Sequence, residues 1–81
     1  MVTRAYVLIE SVPGRNKDIH GTLHRLPQVK LIDRVTGPYD LVAVIEASDL
    51  TSVANFVSDR VHTISGVVRT LTCLAVPETS D

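Results

Sequence analysis

The sequence predicts an α+β domain with the element order β-α-β-β-α-β, and three observations predict it. Four short stretches rich in Val, Ile and Leu each stop at Gly, Pro or a polar turn signal. Two intervening stretches space their apolar residues three and four apart, which is the period of one helix face. The two middle strands are separated by so few residues that they should pair as an antiparallel hairpin.

The first strand is read at residues 4 to 10, Arg-Ala-Tyr-Val-Leu-Ile-Glu, and stops at Ser11-Val12-Pro13-Gly14. From about Asn16 to Leu26, the apolar residues Ile19, Leu23 and Leu26 share a helix face, and Pro27 ends the helix. Gly21 weakens that helix by about 1 kcal/mol relative to Ala. Val29 to Thr36 alternates Val29, Leu31, Asp33 and Val35 with Lys30, Ile32, Arg34 and Thr36, and runs into the turn Gly37-Pro38-Tyr39-Asp40. Leu41 to Ala47 is the third strand. Ser48 and Asp49 are candidate N-caps for a second helix, whose face is Leu50, Val53, Val57, Val61 and Ile64. Ser65-Gly66 closes it, and Val67 to Val76 is the last strand before the polar tail 77–81. This order is the split pattern of the ferredoxin-like fold, with two helices on one face of a four-stranded antiparallel sheet.

Composition narrows the function. The chain has 81 residues, which is one domain. Its hydrophobic content is 44% but its aromatic content only 4%, so the apolar mass is aliphatic and suits sheets packed under helices. Such mass excludes disorder. A formal net charge of −1 lacks the basic excess that phosphate contacts need, which argues against direct nucleic-acid binding. The single cysteine, Cys73, permits no internal disulfide and no Cys-rich metal site. No apolar run approaches the roughly 20 residues of a membrane helix, and no signal peptide follows Met1. The expectation is a soluble cytoplasmic protein.

In a lone domain of this kind the sheet face away from the helices meets water, and its strands should alternate apolar with polar. Here Ala5, Val7 and Ile9 oppose Tyr6 and Leu8, while Leu41, Ala43 and Ile45 oppose Val42 and Val44. The last strand sets Val67, Leu71, Cys73 and Ala75 against Val68, Leu74 and Val76. Both faces read as buried. A domain of about 80 residues buries only about 60–65% of its unfolded surface, so the aliphatic excess should continue into a subunit interface. Two sheets stacked face to face across a two-fold axis satisfy that demand.

Three stretches carry a family likeness: Thr36-Gly37-Pro38-Tyr39-Asp40-Leu41; then Val44-Ile45-Glu46-Ala47 with Asp49-Leu50; then Ile64-Ser65-Gly66-Val67-Val68-Arg69-Thr70-Leu71-Thr72. In this order and spacing they resemble the effector-binding domain of Lrp/AsnC-type transcription regulators, also called RAM for regulation of amino-acid metabolism. The resemblance runs from about Thr3 to Val76 and includes Val12-Pro13-Gly14 and Leu26-Pro27-Gln28-Val29. It implies a ferredoxin-like protomer, dimers built by packing sheets, and rings of four dimers, an octamer, with small effectors, typically amino acids, bound between dimers. Regulators of this family carry an N-terminal helix-turn-helix domain, whereas this chain begins at the first strand. The expectation is a stand-alone effector-binding domain spanning 1–81, without a DNA-binding domain. It would sense a small molecule and modulate transcription, with full-length regulators of the family as partners and neither nucleic acid nor membrane among them.

The resemblance carries the effector role onto Gly37, Tyr39, Asp40, Thr70 and Thr72. The chemistry of these residues agrees. Gly37 lets backbone N–H groups approach a ligand, and Pro38 restricts the loop. Tyr39 offers a ring and a hydroxyl, and Asp40 a carboxylate for a ligand ammonium group. Thr70 and Thr72 project from one face of the last strand with two small hydroxyls. Each residue also has an ordinary structural reading. Gly37 and Asp40 suit turn geometry, with Asp40 capping the hairpin backbone; Tyr39 suits an interface anchor; Thr70 and Thr72 suit any strand.

Other constellations are thinner. His20 and His24 have the spacing of a two-histidine metal site, but no third ligand is placed in sequence to complete it, so no metal and no cofactor are expected. His62 reads as a helix C-terminal residue favoured by the dipole. Cys73, mid-strand, reads as a buried inert thiol. Arg34 and Arg69 can pair with Asp33, Glu10 or Glu46 across strands. The competing function is a small dimeric α+β-barrel enzyme, such as a cofactor-free monooxygenase, for which His20, His24 and Asp33 are the available polar groups. A third is an oligomerisation module without a ligand.

Overall fold

Turn residues at 12–14, 27–28 and 37–40 cut the chain into segments whose apolar periods differ, and the computed structural model, which describes residues 2–77, shows the resulting elements. They are β1 (Thr3–Ser11), α1 (Asn16–His24), β2 (Val29–Arg34), β3 (Leu41–Ala47), α2 (Leu50–Phe56) continued by a π-helical turn (Val57–Val61), and β4 (Val67–Leu74). All pairings are antiparallel and the strand order is β2-β3-β1-β4, the predicted ferredoxin-like sheet. Residues 78–81 of the polar tail lie outside the described residues.

Alternation along the strands sorts side chains to two faces. Ala5, Val7 and Ile9 of β1, Leu41, Ala43 and Ile45 of β3 and Ile32 of β2 point to the helices and are buried. Ile19 and Leu23 of α1, Val53 and Phe56 of α2, and Val57 and Val61 of the π turn pack onto them as one core. This is where the fold gains most of its stability, because the aliphatic area removed from water contributes about 25 cal/mol per Å².

Two bulges change the predicted face assignments. Val29 pairs with Ile45 while Leu31 pairs with Val44, so β2 spends an extra residue, Lys30, between them. Val29 therefore packs against the core, and Leu31 and Asp33 lie on the opposite face. In β4, Val67 pairs with Ser11 and Arg69 with Glu10, which leaves Val68 as the extra residue. Val67 thus faces the core while Leu71 and Cys73 face away, although simple alternation puts the three together. An inserted residue shifts the parity of everything beyond it, and a period of two cannot anticipate that.

The second helix also departs from its periodicity. The spacing predicts one α-helical face running to Ile64, but the α-helix ends at Phe56 and the next turn is widened, with the His62 N–H donating to the Val57 carbonyl at 2.9 Å. The buried stripe includes Phe56 and omits Leu50, which is exposed. Helix α1 stops at His24, two residues before the predicted end, and Leu26 N–H closes a turn onto Leu23 O at 3.0 Å.

Of the two candidate caps, Asp49 starts α2, its Oδ1 accepting the Ser52 N–H at 2.8 Å. That hydrogen bond holds the Asp49 carboxyl below its ordinary value. A depressed carboxylate stabilises the fold above its unfolded value, near pH 4, and loses that contribution as pH falls through the folded value. Circular-dichroism melts should show Asp49→Ala with a lower Tm than the parent at pH 7, and the gap should narrow below about pH 4. Asp49→Asn, which keeps an acceptor, should stay near the parent at pH 7.

Candidate functional site

The cross-strand rows place the candidate residues. On the helix side, Thr70, Thr72 and Leu74 continue at the β4 edge the rows that contain Ile9, Val7 and Ala5. The β1 residues are fully buried, yet Thr72 and Leu74 are exposed, because the helices stop short of β4. A groove of about 430 Å³ opens between α2 and this edge strand. Leu50, Ala54 and Val57 form its helical wall and Leu74 the strand wall, while Ser58, His62, Thr70 and Thr72 supply the polar atoms. Across it His62 Nε2 lies 2.7 Å from Thr70 Oγ1.

Gly37 and Asp40 lie in a different cleft, of about 560 Å³, beside Asn16, Arg34, Val35 and Thr36. Gly37 has φ +139°, a conformation that side chains strain to adopt, and no atom lies within 4 Å of where its Cβ would stand. The turn demands glycine by its backbone, and the space above it is open to a ligand. Asp40 already has structural partners. Its Oδ2 accepts the Ser11 N–H at 2.8 Å, its own N–H donates to Ile9 O at 2.8 Å, and its carbonyl accepts from Val35 N–H at 2.9 Å. Next to it the Ser11 hydroxyl donates to Asn16 Oδ1, so Asp40 and Asn16 both tie down the end of β1.

Tyr39 joins the hairpin to β4. The Arg69 guanidinium carbon sits 5.4 Å from the Tyr39 ring centroid. Arg69 Nε donates to Glu10 Oε1 at 2.6 Å, the cross-strand pair anticipated from the sequence. That hydrogen bond, with Tyr39 nearby, raises the Arg69 pKa further. Within one protomer, then, Gly37 and Asp40 share one cleft, Thr70 and Thr72 share another, and Tyr39 is linked to β4 through Arg69.

The face away from the helices is the other conspicuous surface. Leu31, Val44, Tyr6 and Cys73 form one row across the sheet, and Asp33, Val42, Leu8 and Leu71 the next. Leu31 is 54% exposed, Leu71 47% and Tyr6 38%. Cys73, expected as a buried thiol, is exposed here because the protomer alone puts nothing over it. The ion pairs Arg4–Glu46, at 2.9 Å, and Arg69–Glu10 bound this face at its two ends.

Sequence reasoning missed His62 as a groove residue. Its place follows from the π turn, which leaves no mark in hydrophobic spacing. His20 and His24 stack on α1 with ring centroids 5.9 Å apart, and among the described residues they join no group of three or more His, Cys, Asp or Glu able to hold a metal. No helix of the described residues is long and apolar enough to cross a membrane.

The fold is that of a small α+β domain with clefts on its surface. The sequence profile described as the Lrp/AsnC ligand binding domain matches residues 4–81, and the chain belongs to that family of transcription-regulator domains. It is 31% identical over 68 residues to the HTH-type transcriptional regulator LysM of Saccharolobus solfataricus, a match covering 83% of this chain and 47% of LysM. The chain spans under half the length of the curated regulators it matches. Among solved structures, TTHA0845 from Thermus thermophilus superposes with a TM-score of 0.89 at 34% identity, covering 98% of this chain and 99% of that one. The transcriptional regulator NMB0573 of Neisseria meningitidis, solved as a complex with L-Met, shares the fold with a TM-score of 0.86 at 17% identity, covering 98% of this chain and 53% of that one.

The side-chain hydrogen bond that Asp40 accepts from Ser11 sets a measurable expectation. Asp40→Ala leaves the buried Ser11 N–H without its acceptor and should cost about 1–3 kcal/mol in urea denaturation. Asp40→Asn, which retains an oxygen acceptor, should cost less than half of that.

Proposed function

We propose that this chain is a non-catalytic effector-binding and oligomerisation domain that senses a small amino acid and conveys its presence to transcription regulation. The observation that carries the reading is the bare apolar sheet face with its rows of Leu8, Leu31, Val42, Val44 and Leu71. Contiguous apolar surface of that kind calls for a partner, and a second copy laid face to face supplies the same rows in return. The resulting dimer can associate further into a ring and with full-length regulators of the family.

The split of the candidate residues fits this assembly. Gly37 and Asp40 face one cleft and Thr70 and Thr72 another, so a pocket that uses both sets draws them from different copies. Supporting an amino-acid effector are the family's description as a ligand binding domain and the L-Met complex of the structurally similar NMB0573. The competing enzymatic reading loses its footing. Between helices and sheet the space is filled by Ile9, Ile19, Leu23, Ile45 and Phe56, while His24 and Asp33 are exposed and His20 half-buried, outside that core.

Melting curves and light scattering after size exclusion, with each standard amino acid in turn, test the proposal. At least one amino acid at 100 times its Kd should add about 2.7 kcal/mol of stability, a Tm rise of many degrees for a domain this small, or change the oligomer. Silence from the whole panel in both assays would overturn it.

A further inference from the structure

Helix α1 carries a pair of imidazoles on its outer flank. Ile19 and Leu23, four residues apart, are fully buried and fix the helix on the sheet. The residue after each is a histidine, so His20 and His24 repeat that spacing about 100° round the helix, His20 half-buried and His24 exposed. Their rings stack 5.9 Å apart, centre to centre, with 17° between their planes. Among the described residues neither ring enters a hydrogen bond, unlike that of His62. The pair stands apart from the bare sheet face and from the residues of both clefts.

A histidine nitrogen binds a divalent transition ion at about 2.0–2.1 Å, and the ring centre stands roughly 1 Å farther back. Two centres up to about 6 Å apart therefore reach one ion, and the terminal torsion of histidine is broad enough to aim both lone pairs at it. Gly21 keeps the outward side open, since a Cβ there would meet only the Arg25 guanidinium, at 3.9 Å. Waters can fill an ion's remaining positions in that space. A closed structural zinc site takes four protein ligands, and the described residues supply no third one here. Two imidazoles completed by water instead suit the tetragonal ions Ni²⁺ and Cu²⁺, which stand high in the affinity order for nitrogen sites.

We infer that His20 and His24 chelate one Ni²⁺ or Cu²⁺ ion per chain and so clasp one turn of α1. The inference is independent of the effector-binding reading. Helix α1 gains from such a clasp: it starts without a side-chain cap and carries Gly21 in its middle, at a cost of about 1 kcal/mol relative to Ala. An ion held by two side chains one turn apart binds the helical form alone, so occupancy stabilises α1 by mass action. Asp18 does not join the pair, because its carboxylate is turned to Arg15, 3.2 Å away. Lys17 lies one turn before His20 on the same flank and is the like charge nearest in helical spacing that the ion must tolerate.

Isothermal titration calorimetry and melting curves of the whole chain, free of any tag, with NiCl₂, CuCl₂ and MgCl₂ test this. The parent should bind one Ni²⁺ or Cu²⁺ per chain with a rise in Tm, and Mg²⁺, which takes oxygen ligands, should do neither. His20→Asn and His24→Asn should each weaken binding at least about tenfold, since losing even the outer partner of a metal ligand costs that much. Lys17→Glu, which puts a carboxylate where the like charge stood, should tighten it severalfold. If His20→Asn does not fold, His24→Asn, at the exposed position, and Lys17→Glu carry the test. Ion binding that ignores both histidine variants or Lys17→Glu, one ion per two chains, an equal response to Mg²⁺, or no binding of Ni²⁺ and Cu²⁺ at millimolar concentration overturns the inference.

Discussion

Both faces of this four-stranded sheet are lined with aliphatic side chains, and the chain has helices enough to cover one. Everything else follows from that imbalance. The helix side closes into a core around Ile9, Leu41, Ile45 and Val53. On the far side Tyr6, Leu31 and Leu71 stay in contact with water. Covering a large apolar side chain contributes about 1.5–3 kcal/mol relative to leaving it exposed, so a second sheet gains several such contributions at once. The ion pairs at the two ends of the face add little stability where they are exposed, but they restrict how a partner can dock.

The edge strand β4 connects this constraint to the clefts. Its alternate residues serve two surfaces: Arg69, Leu71 and Cys73 belong to the bare face, while Thr70, Thr72 and Leu74 form the wall of the groove beside α2. A copy docked on one side of the strand and a ligand seated on the other press on the same backbone. Arg69 extends the connection to the hairpin through Tyr39.

Much of this was legible in the sequence, and the exceptions have physical causes. Element order and strand pairing followed from turn residues and apolar periods, and the sequence offered Ser48 and Asp49 as caps, of which Asp49 starts α2. The two-faced sheet was visible as apolar residues at adjacent strand positions. What periodicity could not show were the extra residues Lys30 and Val68, each of which reverses the faces of the residues on one side of it. The π turn was equally silent, so His62 read as an ordinary helix end. The split of the candidate residues between two clefts was hidden because motif resemblance preserves order along the chain and says nothing of which cavity a residue faces.

The central claim is that the bare sheet face is covered by a second copy. Sedimentation equilibrium of the parent and of Leu8→Lys, whose position lies between Val42 and Leu71 in the middle of that face, measures it most directly. The parent should sediment at no less than twice the 8.8 kDa protomer mass, and Leu8→Lys should shift toward the protomer mass with its far-UV circular dichroism retained. A parent that remains a folded monomer at high micromolar concentration, or a Leu8→Lys variant that assembles as the parent does, would contradict it.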